Sequence, residues 1–246
     1  MASWPKATIV NMTTVTIGSL IGLWLKQFFS TEVQEIVFQA VGLGTLLIGI
    51  KMALRLPDGY LLIFIFSLII GAVFGQLLRI DLIINDLSDS LKILIGNTEG
   101  SFTQGLITAF LLFCVGSMTI IGALEEGIHQ KRELLYVKSM LDGFSSIALA
   151  STYGIGVLFS IIPMLIFQGG ITMLALRLKN IFNQNVMDAL SAVGGILIIG
   201  ISIRLLKLGE VWLENMLPSL FLIVVMSFMY DKYQNKNKLD NTSTSD

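Results

Sequence analysis

The chain has 246 residues, of which 54% are apolar and only 13% charged, and its net charge is −1. Soluble domains carry about 25% charged residues, so this composition excludes an ordinary soluble protein. A net charge near zero argues against a nucleic-acid partner, which would require a basic excess. One cysteine and one histidine exclude an intramolecular disulfide and the usual kind of zinc site. The expected partner is therefore the lipid bilayer.

Seven runs of predominantly apolar residues are long enough to cross a bilayer, since a spanning helix requires roughly 20 such residues. They lie at about 7–25, 36–54, 60–78, 104–124, 155–176, 186–206 and 211–229. We interpret the first run as a retained span, because no small-residue cleavage site follows a short apolar segment.

An eighth span is predicted at 134–152. Residues 143–176 contain no charged residue, and as a single helix they would reach about 51 Å, far beyond a hydrocarbon core of roughly 30 Å. The chain is therefore expected to turn at 151–156, where glycines and small polar residues are concentrated. The alternative is that 134–152 is re-entrant, which would leave seven spans.

The distribution of lysine and arginine predicts the orientation of the chain. With eight spans and the N-terminus inside, 11 of the 16 basic residues lie on the cytoplasmic side and five lie outside. This bias follows the positive-inside rule and predicts that both termini are cytoplasmic.

Residues 79–97, between the third and fourth runs, predict an amphipathic helix in the outer interface. Apolar residues recur there at three- and four-residue steps, with polar residues at other positions. An ordinary connector packed on the bundle is the alternative. Residues 1–230 then form a single integral membrane domain, and the polar tail at 231–246 is predicted to be a disordered cytoplasmic segment.

Residues 25–50 resemble residues 178–201 when two one-residue gaps are allowed. Ala40-Val41-Gly42 matches Ala192-Val193-Gly194, and Lys26 matches Lys179. The two copies are displaced by five spans, an odd number, so they have opposite orientations in the bilayer. The predicted fold is thus an all-α polytopic transmembrane helix bundle with an inverted repeat of spans 1–3 and 6–8. Such repeats underlie many secondary transporters, although channels also contain them and a fold alone does not fix a function.

Several segments resemble the bacterial membrane-protein family called domain of unknown function 554. The matching features are Asn11 with Gly18 and Gly22, FCVGSMTIIGALEEG at 113–127, the segment 138–175, AVGGILIIGI at 192–201 and ENMLPSL at 214–220. The chain departs from the family at Lys6-Ala7-Thr8, where a glycine-threonine pair is common. The resemblance implies a multi-pass protein of the bacterial inner membrane, with no established substrate.

The main candidate site lies on the fifth span. Lys138 and Asp142 are four residues apart, so they share a helix face and can form an ion pair. Ser139, Ser145 and Ser146 extend this polar side, which must face protein or water. The stripe could line a path for a solute or proton, with Asp142 as the coupling carboxylate or the partner of a cation. Alternatively, the charged pair snorkels to the headgroups and the serines pack helices.

Other candidates lie on neighbouring spans. Gly116, Thr119 and Ala123 in span four form a small-residue face that could pack against a neighbouring helix, and Ser117 and Thr119 are candidate contacts for a solute. Glu125 and Glu126 follow as a candidate gate, or as partners of an ion pair with Lys131, Arg132 or Lys138. Their alternative interpretation is a solvated helix end.

Span six should be interrupted at Pro163 and at Gln168-Gly169-Gly170, which would expose backbone groups or only kink the helix. Gln168 and Gly169 are candidate substrate contacts. Asn11 gives span one a polar side.

The sequence therefore favours a secondary transporter of a small solute, coupled to a proton or cation. A channel and a non-transporting scaffold or accessory subunit are the alternatives. We expect no enzymatic activity, because the sequence shows no catalytic constellation, and we expect no cofactor or metal. The expected partners are a small solute with a proton or cation, and the sequence is compatible with a homo-oligomer.

Overall fold

The computed structural model describes residues 4–95 and 101–243, where helices are joined by short connections and no strand occurs. The long helices are α1 (Lys6–Lys26), α2 (Thr31–Ala53), α3 (Leu61–Leu77), α4 (Ile80–Ile95), α5 (Phe102–Cys114), α6 (Ser117–His129) and α7 (Glu133–Tyr153). They are followed by α8 (Gly156–Phe159), α9 (Ile161–Met164), a π-helical turn (Leu165–Gly169), α10 (Gly170–Leu178), α11 (Gln184–Leu205), α12 (Leu213–Met216) and α13 (Pro218–Ser243). The predicted all-α class is confirmed.

Five helical segments in the described ranges are long and apolar enough to cross a membrane. They are Lys6–Lys26, Glu35–Ala53, Gly156–Leu178, Gln184–Leu205 and Leu213–Gln234. Up to seven spans result if each of two bent helix pairs, α3 with the start of α4 and α5 with α6, counts as one span. A polytopic bundle is therefore confirmed. The α7 helix is long enough to cross a bilayer but is not among these apolar segments, so the eighth span stays a prediction.

The turn predicted after the fifth span is present. The α7 helix ends at Tyr153, and Gly154 takes a φ of 77°, a conformation that glycine adopts without steric cost. Gly156 opens α8, and a Cβ at that position would lie 2.0 Å from the carbonyl oxygen of Phe102. The absence of a side chain at Gly156 thus allows α8 to lie directly against the start of α5.

The fourth apolar run is not one straight helix, in contrast to the span that we expect at 104–124. It is divided into α5 and α6, which meet at an angle of 60° around Val115 and Gly116. Gly116 is extended, with φ −153° and ψ 149°. The Thr119 hydroxyl donates to the carbonyl oxygen of Phe113 at 2.8 Å. This carbonyl lies at the end of α5, where the break leaves backbone oxygens without a helical N–H partner.

Small residues bring three pairs of helices into backbone contact. The backbone contacts are Gly18–Gly143 and Gly22–Ile147 between α1 and α7, Gly49–Gly195 between α2 and α11, and Gly71–Ser219 and Gly75–Asn215 between α3 and the consecutive helices α13 and α12. Nearer the start of α2, Gly42 faces the side chain of Leu206, which directly follows α11. Residue numbers rise together in the first pair, so α1 and α7 are parallel. They run in opposite senses in the other two pairs, which are antiparallel.

The α11 helix lies at the centre of the bundle. Along its apolar stretch 78% of residues are buried, against 17% to 39% in the other four candidate spans. Leu47 on α2 and Phe66 on α3 are instead largely exposed, as expected for side chains that face lipid.

Both peripheral segments are helical in the structure. The α4 helix falls within the predicted amphipathic region at 79–97, and Ile84 packs against the core whereas Ile83 is exposed. The backbone of α13 is helical as far as Ser243, and the disorder of the tail at 231–246 stays a prediction. A helix that is already formed needs no new nucleus, so polar residues can extend it.

Candidate translocation site

Lys138 and Asp142 form a buried ion pair halfway along α7. The Lys138 Nζ atom lies 2.5 Å from Asp142 Oδ2, and the two side chains are only 7% and 8% exposed. Asp142 is the tenth of 21 residues in α7, about 14 Å from its start and about 16 Å from its end. The pair is thus enclosed by protein, unlike a pair that snorkels to water.

Asn11 on α1 and Gln168 in the π-helical turn complete this group. Asn11 Nδ2 donates to Asp142 Oδ2 at 2.9 Å and to Gln168 Oε1 at 3.1 Å, and both amide side chains are fully buried. An ionised carboxylate only accepts hydrogen bonds, so Asn11 must present its NH₂ group to Asp142. We call Asn11, Lys138, Asp142 and Gln168 the polar network.

The close packing of α1 on α7 positions Asn11. Gly18 and Gly143 let the two backbones touch, and the Thr14 hydroxyl donates across the interface to the carbonyl oxygen of Ser139 at 2.8 Å. A larger residue at either glycine would hold α1 away from α7. The amide of Asn11 could then not reach Asp142.

The π-helical turn positions Gln168. It begins two residues after Pro163, which cannot donate a backbone hydrogen bond, and it ends at Gly169. The interruption predicted at Gln168 and Gly169 therefore takes the form of a π turn inside the segment Gly156–Leu178, of which Gln168 is the thirteenth of 23 residues. Such turns within α-helices are frequent at functional sites.

Two atoms of the network have no hydrogen-bond partner in the described part of the chain. They are Asn11 Oδ1, an acceptor, and Gln168 Nε2, a donor. Nearly all buried polar side chains in folded proteins have a partner, either in the protein or in ordered water. The network can therefore offer one donor and one acceptor to a bound molecule.

Lys138 also contacts an aromatic ring. Its ammonium group lies 6.0 Å from the ring centroid of Phe113, at the end of α5, a distance at which a cation is attracted to the π face. This contact and the carboxylate of Asp142 stabilise a charge that would otherwise be costly to bury.

Ser139 and Ser146, predicted on this face, form hydrogen bonds within their own helix. Ser139 donates to the carbonyl oxygen of Leu135 at 2.7 Å, and Ser146 donates to that of Gly143 at 2.7 Å. Ser145 is half-buried, and none of the hydrogen bonds that define the network involves it. The network therefore contains Asp142 and Lys138 of the predicted stripe but not its serines.

The remaining candidates lie at different places around the network. Thr119 caps the break between α5 and α6, and Gly169 is next to Gln168, with Pro5 and Thr8 of the α1 end nearby. The side chain of Ser117 lies outside the described part of the structure.

Of the two glutamates proposed as a gate, only Glu126 is fully buried, whereas Glu125 is half-buried. Glu126 Oε1 accepts from the backbone N–H of Ala7 at 3.0 Å and from Arg132 Nε at 2.8 Å. Ala7 is in the first turn of α1, where backbone N–H groups lack helical partners and favour a negative charge. Glu126 therefore ties α6 to the start of α1, a role that its position in the sequence does not indicate.

Sequence reasoning missed a polar cavity of about 310 Å³ at the opposite end of the bundle. Its lining includes Asp81, Gln104, Glu210 and an ion pair in which Arg204 Nη1 lies 3.0 Å from Glu214 Oε1. These residues come from four separate stretches of chain. No spacing within one stretch could have predicted that they line one cavity.

Comparison with known proteins places the chain in a family. A family model described as "protein of unknown function (DUF554)" matches residues 6–228. The uncharacterized membrane protein YdfK of Bacillus subtilis (strain 168) is 34% identical over 224 residues, which cover 90% of this chain and 95% of YdfK. The uncharacterized protein YqgA of Escherichia coli (strain K12) is 27% identical over 223 residues, covering 89% and 94%. No solved structure matches. With its apolar helices, the chain is a multi-pass membrane protein that belongs to the DUF554 family.

Proposed function

We propose that this protein is a secondary transporter of a small solute in the bacterial inner membrane, with both termini in the cytoplasm and Asp142 as the coupling carboxylate. The observation that carries the proposal is the polar network, in which a charged pair is buried midway along α7 beside a π-helical turn. Ionisable residues inside membrane bundles commonly belong to ion or substrate pathways.

The energetic cost of the pair supports a functional role. Inserting a charged residue at the centre of a membrane helix costs about 2.5–3.5 kcal/mol on translocon scales. Replacing a buried ion pair by apolar residues of similar volume is often neutral or stabilising, so packing alone does not require Lys138 and Asp142. A transport role in which Asp142 reversibly changes its charge would explain why the protein contains both Lys138 and Asp142.

The unpartnered amide atoms support ligand binding at the same place. Asn11 Oδ1 and Gln168 Nε2 are both buried and both lie on residues that contact each other. A small solute or a water molecule that both donates and accepts hydrogen bonds would satisfy the two atoms together.

The helix pairing supports two halves of opposite orientation. The α1 helix packs on α7, and α10, at the corresponding place in the second half, packs on α6. The α2–α11 and α3–α13 pairs then join equivalent helices of the two halves. This is the pairing expected of inverted repeats that rock around a central site.

The test is uptake by the purified protein in proteoliposomes under an imposed pH or Na⁺ gradient. Radiolabelled amino acids, sugars, carboxylates and monovalent cations serve as probes. We expect Asp142→Asn to lower uptake of at least one probe tenfold or more. The matched control is Asp86→Asn, an exposed carboxylate on α4, which should leave uptake unchanged.

A folded but uncharged variant separates loss of coupling from loss of folding. Lys138→Met combined with Asp142→Asn removes both charges and should stay folded without transporting. The proposal fails if no probe class is taken up in a way that depends on the protein or on Asp142. Single-channel currents through the reconstituted protein would instead assign a pore.

A further inference from the structure

Four buried polar atoms without hydrogen-bond partners lie along one side of α1, between its first turn and the polar network. They are Glu126 Oε2, Thr8 Oγ1, Asn11 Oδ1 and Gln168 Nε2. All four residues are 0% exposed, and each of these atoms lacks a partner within residues 4–95 and 101–243.

These atoms follow one another in space. Glu126 binds the backbone of Ala7, Thr8 is the next residue of α1, and Asn11 is one turn further along. The Thr8 methyl group lies within 3.8 Å of a Cβ built on Gly169, and Asn11 contacts Gln168, the neighbour of Gly169. The four atoms therefore lie where α1, the end of α6 and the π-helical turn meet.

Leaving these atoms unsatisfied would be expensive. A buried polar group without a partner has lost its hydrogen bonds to water and gained none in return. Four of them in one place would offset a large part of the small net stability of a folded protein. A water molecule in a protein interior makes about three hydrogen bonds, so a few waters can serve this mixture of donors and acceptors.

Beyond Asn11 the run of polar residues on this side of α1 is interrupted. Val15, two turns after Thr8, is fully buried in the apolar core, and Gly18 is pressed against Gly143 of α7. The continuous run of polar residues thus begins at the end of the bundle where α1 starts and is interrupted after the polar network by Val15 and Gly18. One turn beyond Val15, Ser19 is again fully buried, and its Oγ has no partner in the described part of the chain.

We infer that water enters the protein from the face of the membrane on which α1 begins and reaches Asp142 along Thr8 and Asn11. The ion pair of Glu126 with Arg132, whose side chain is 24% exposed, stands at the entrance of this route. The role of the route, which is to deliver a proton or small solute to Asp142, rests on the proposed transport function. The presence of water along the route does not depend on that function.

Cysteine labelling tests the route without any substrate. The native Cys114 is fully buried, so the wild-type protein provides the background. Thr8→Cys is compared with Val15→Cys, a control on the same side of the same helix, using a membrane-impermeant methanethiosulfonate added to either face of oriented vesicles. The reagent attacks thiolates, which form where water reaches the sulfur.

We expect Thr8→Cys to react at least tenfold faster than Val15→Cys, and only from the face on which α1 begins. Gly169→Cys examines the opposite wall of the route, where a Cβ has no contact closer than 3.4 Å, and should react like Thr8→Cys. This second variant decides the matter if Thr8→Cys does not fold.

Equal rates at Thr8 and Val15, or reaction from the opposite face alone, would overturn the route. If labelling fails while uptake still depends on Asp142, the route is wrong and the transport proposal stands. If labelling succeeds while no uptake depends on Asp142, the route is supported and the transport proposal fails.

Discussion

Replacing Gly18 by alanine adds one methyl group at the closest approach of α1 to α7. Its Cβ would lie 2.1 Å from the carbonyl oxygen of Gly143 and 2.1 Å from the hydroxyl oxygen of Ser146, whereas real Cβ atoms essentially never come within 3.0 Å of such neighbours. The two helices would have to separate locally by about 1 Å, because the packed interior of a protein does not compress. Gly44 on α2 is the matched control, since a Cβ there meets no atom within 4 Å.

Gly18→Ala should lower the stability of the protein, whereas Gly44→Ala should not. Overpacking a tight site costs about 1–3 kcal/mol. Alanine in place of glycine gains at most about 1 kcal/mol of helix propensity. We therefore expect Gly18→Ala to lower the free energy of unfolding by about 1–2 kcal/mol, as the difference between the packing cost and the propensity gain. Gly44→Ala should leave it unchanged or raise it by up to about 1 kcal/mol.

Unfolding of the purified variants in one detergent, by heat or by added dodecyl sulfate, measures this difference. Because α1 carries Asn11, Gly18→Ala should also lower uptake in the proteoliposome assay, whereas Gly44→Ala should not. If both variants unfold like the wild type, close backbone packing does not hold α1 against α7. The explanation of how Asn11 reaches Asp142 would then be wrong.

Two further predictions concern charged and titratable groups. Lys138→Met or Asp142→Asn alone should destabilise the protein by about 3–5 kcal/mol, because each leaves an uncompensated buried group. The double variant should recover most of that loss in the same unfolding assay. If the effects of the two single substitutions simply add in the double variant, Lys138 and Asp142 are not paired. Burial raises the pKa of Tyr60 above its ordinary value of 10.0, and its hydrogen bond to the Asp231 carboxylate adds to the shift. A raised pKa in the folded state stabilises the protein below pH 10 and ceases to do so as the pH rises through the folded value. Tyr60→Phe should therefore lose less stability than the wild type between about pH 10 and pH 12, and parallel losses would refute this.

Much of the helical organisation is determined by the sequence. The apolar runs at 7–25 and 186–206 correspond to α1 and α11 within two residues, because the bilayer fixes how long an apolar segment must be. The turn after Tyr153 follows from an uncharged run too long for one crossing. The pairing of Lys138 with Asp142 follows from helical geometry, since residues four apart share a face.

Contacts between distant helices are decided only by the tertiary structure. Asn11 is 131 residues from Asp142 and 157 from Gln168, and Ala7 is 119 residues from Glu126. Hydropathy gives the length of each helix but not which of its sides meets which neighbour. That choice depends on where glycines allow backbones to touch and on which buried polar groups can satisfy one another. The sequence by itself therefore determined most of the apolar helices, the charged pair and the interruption of span six. Only the packing of α1, α6 and α7 could make Asn11 a partner of Asp142 and Glu126 the cap of α1, because these contacts exist only when all the helices are in place.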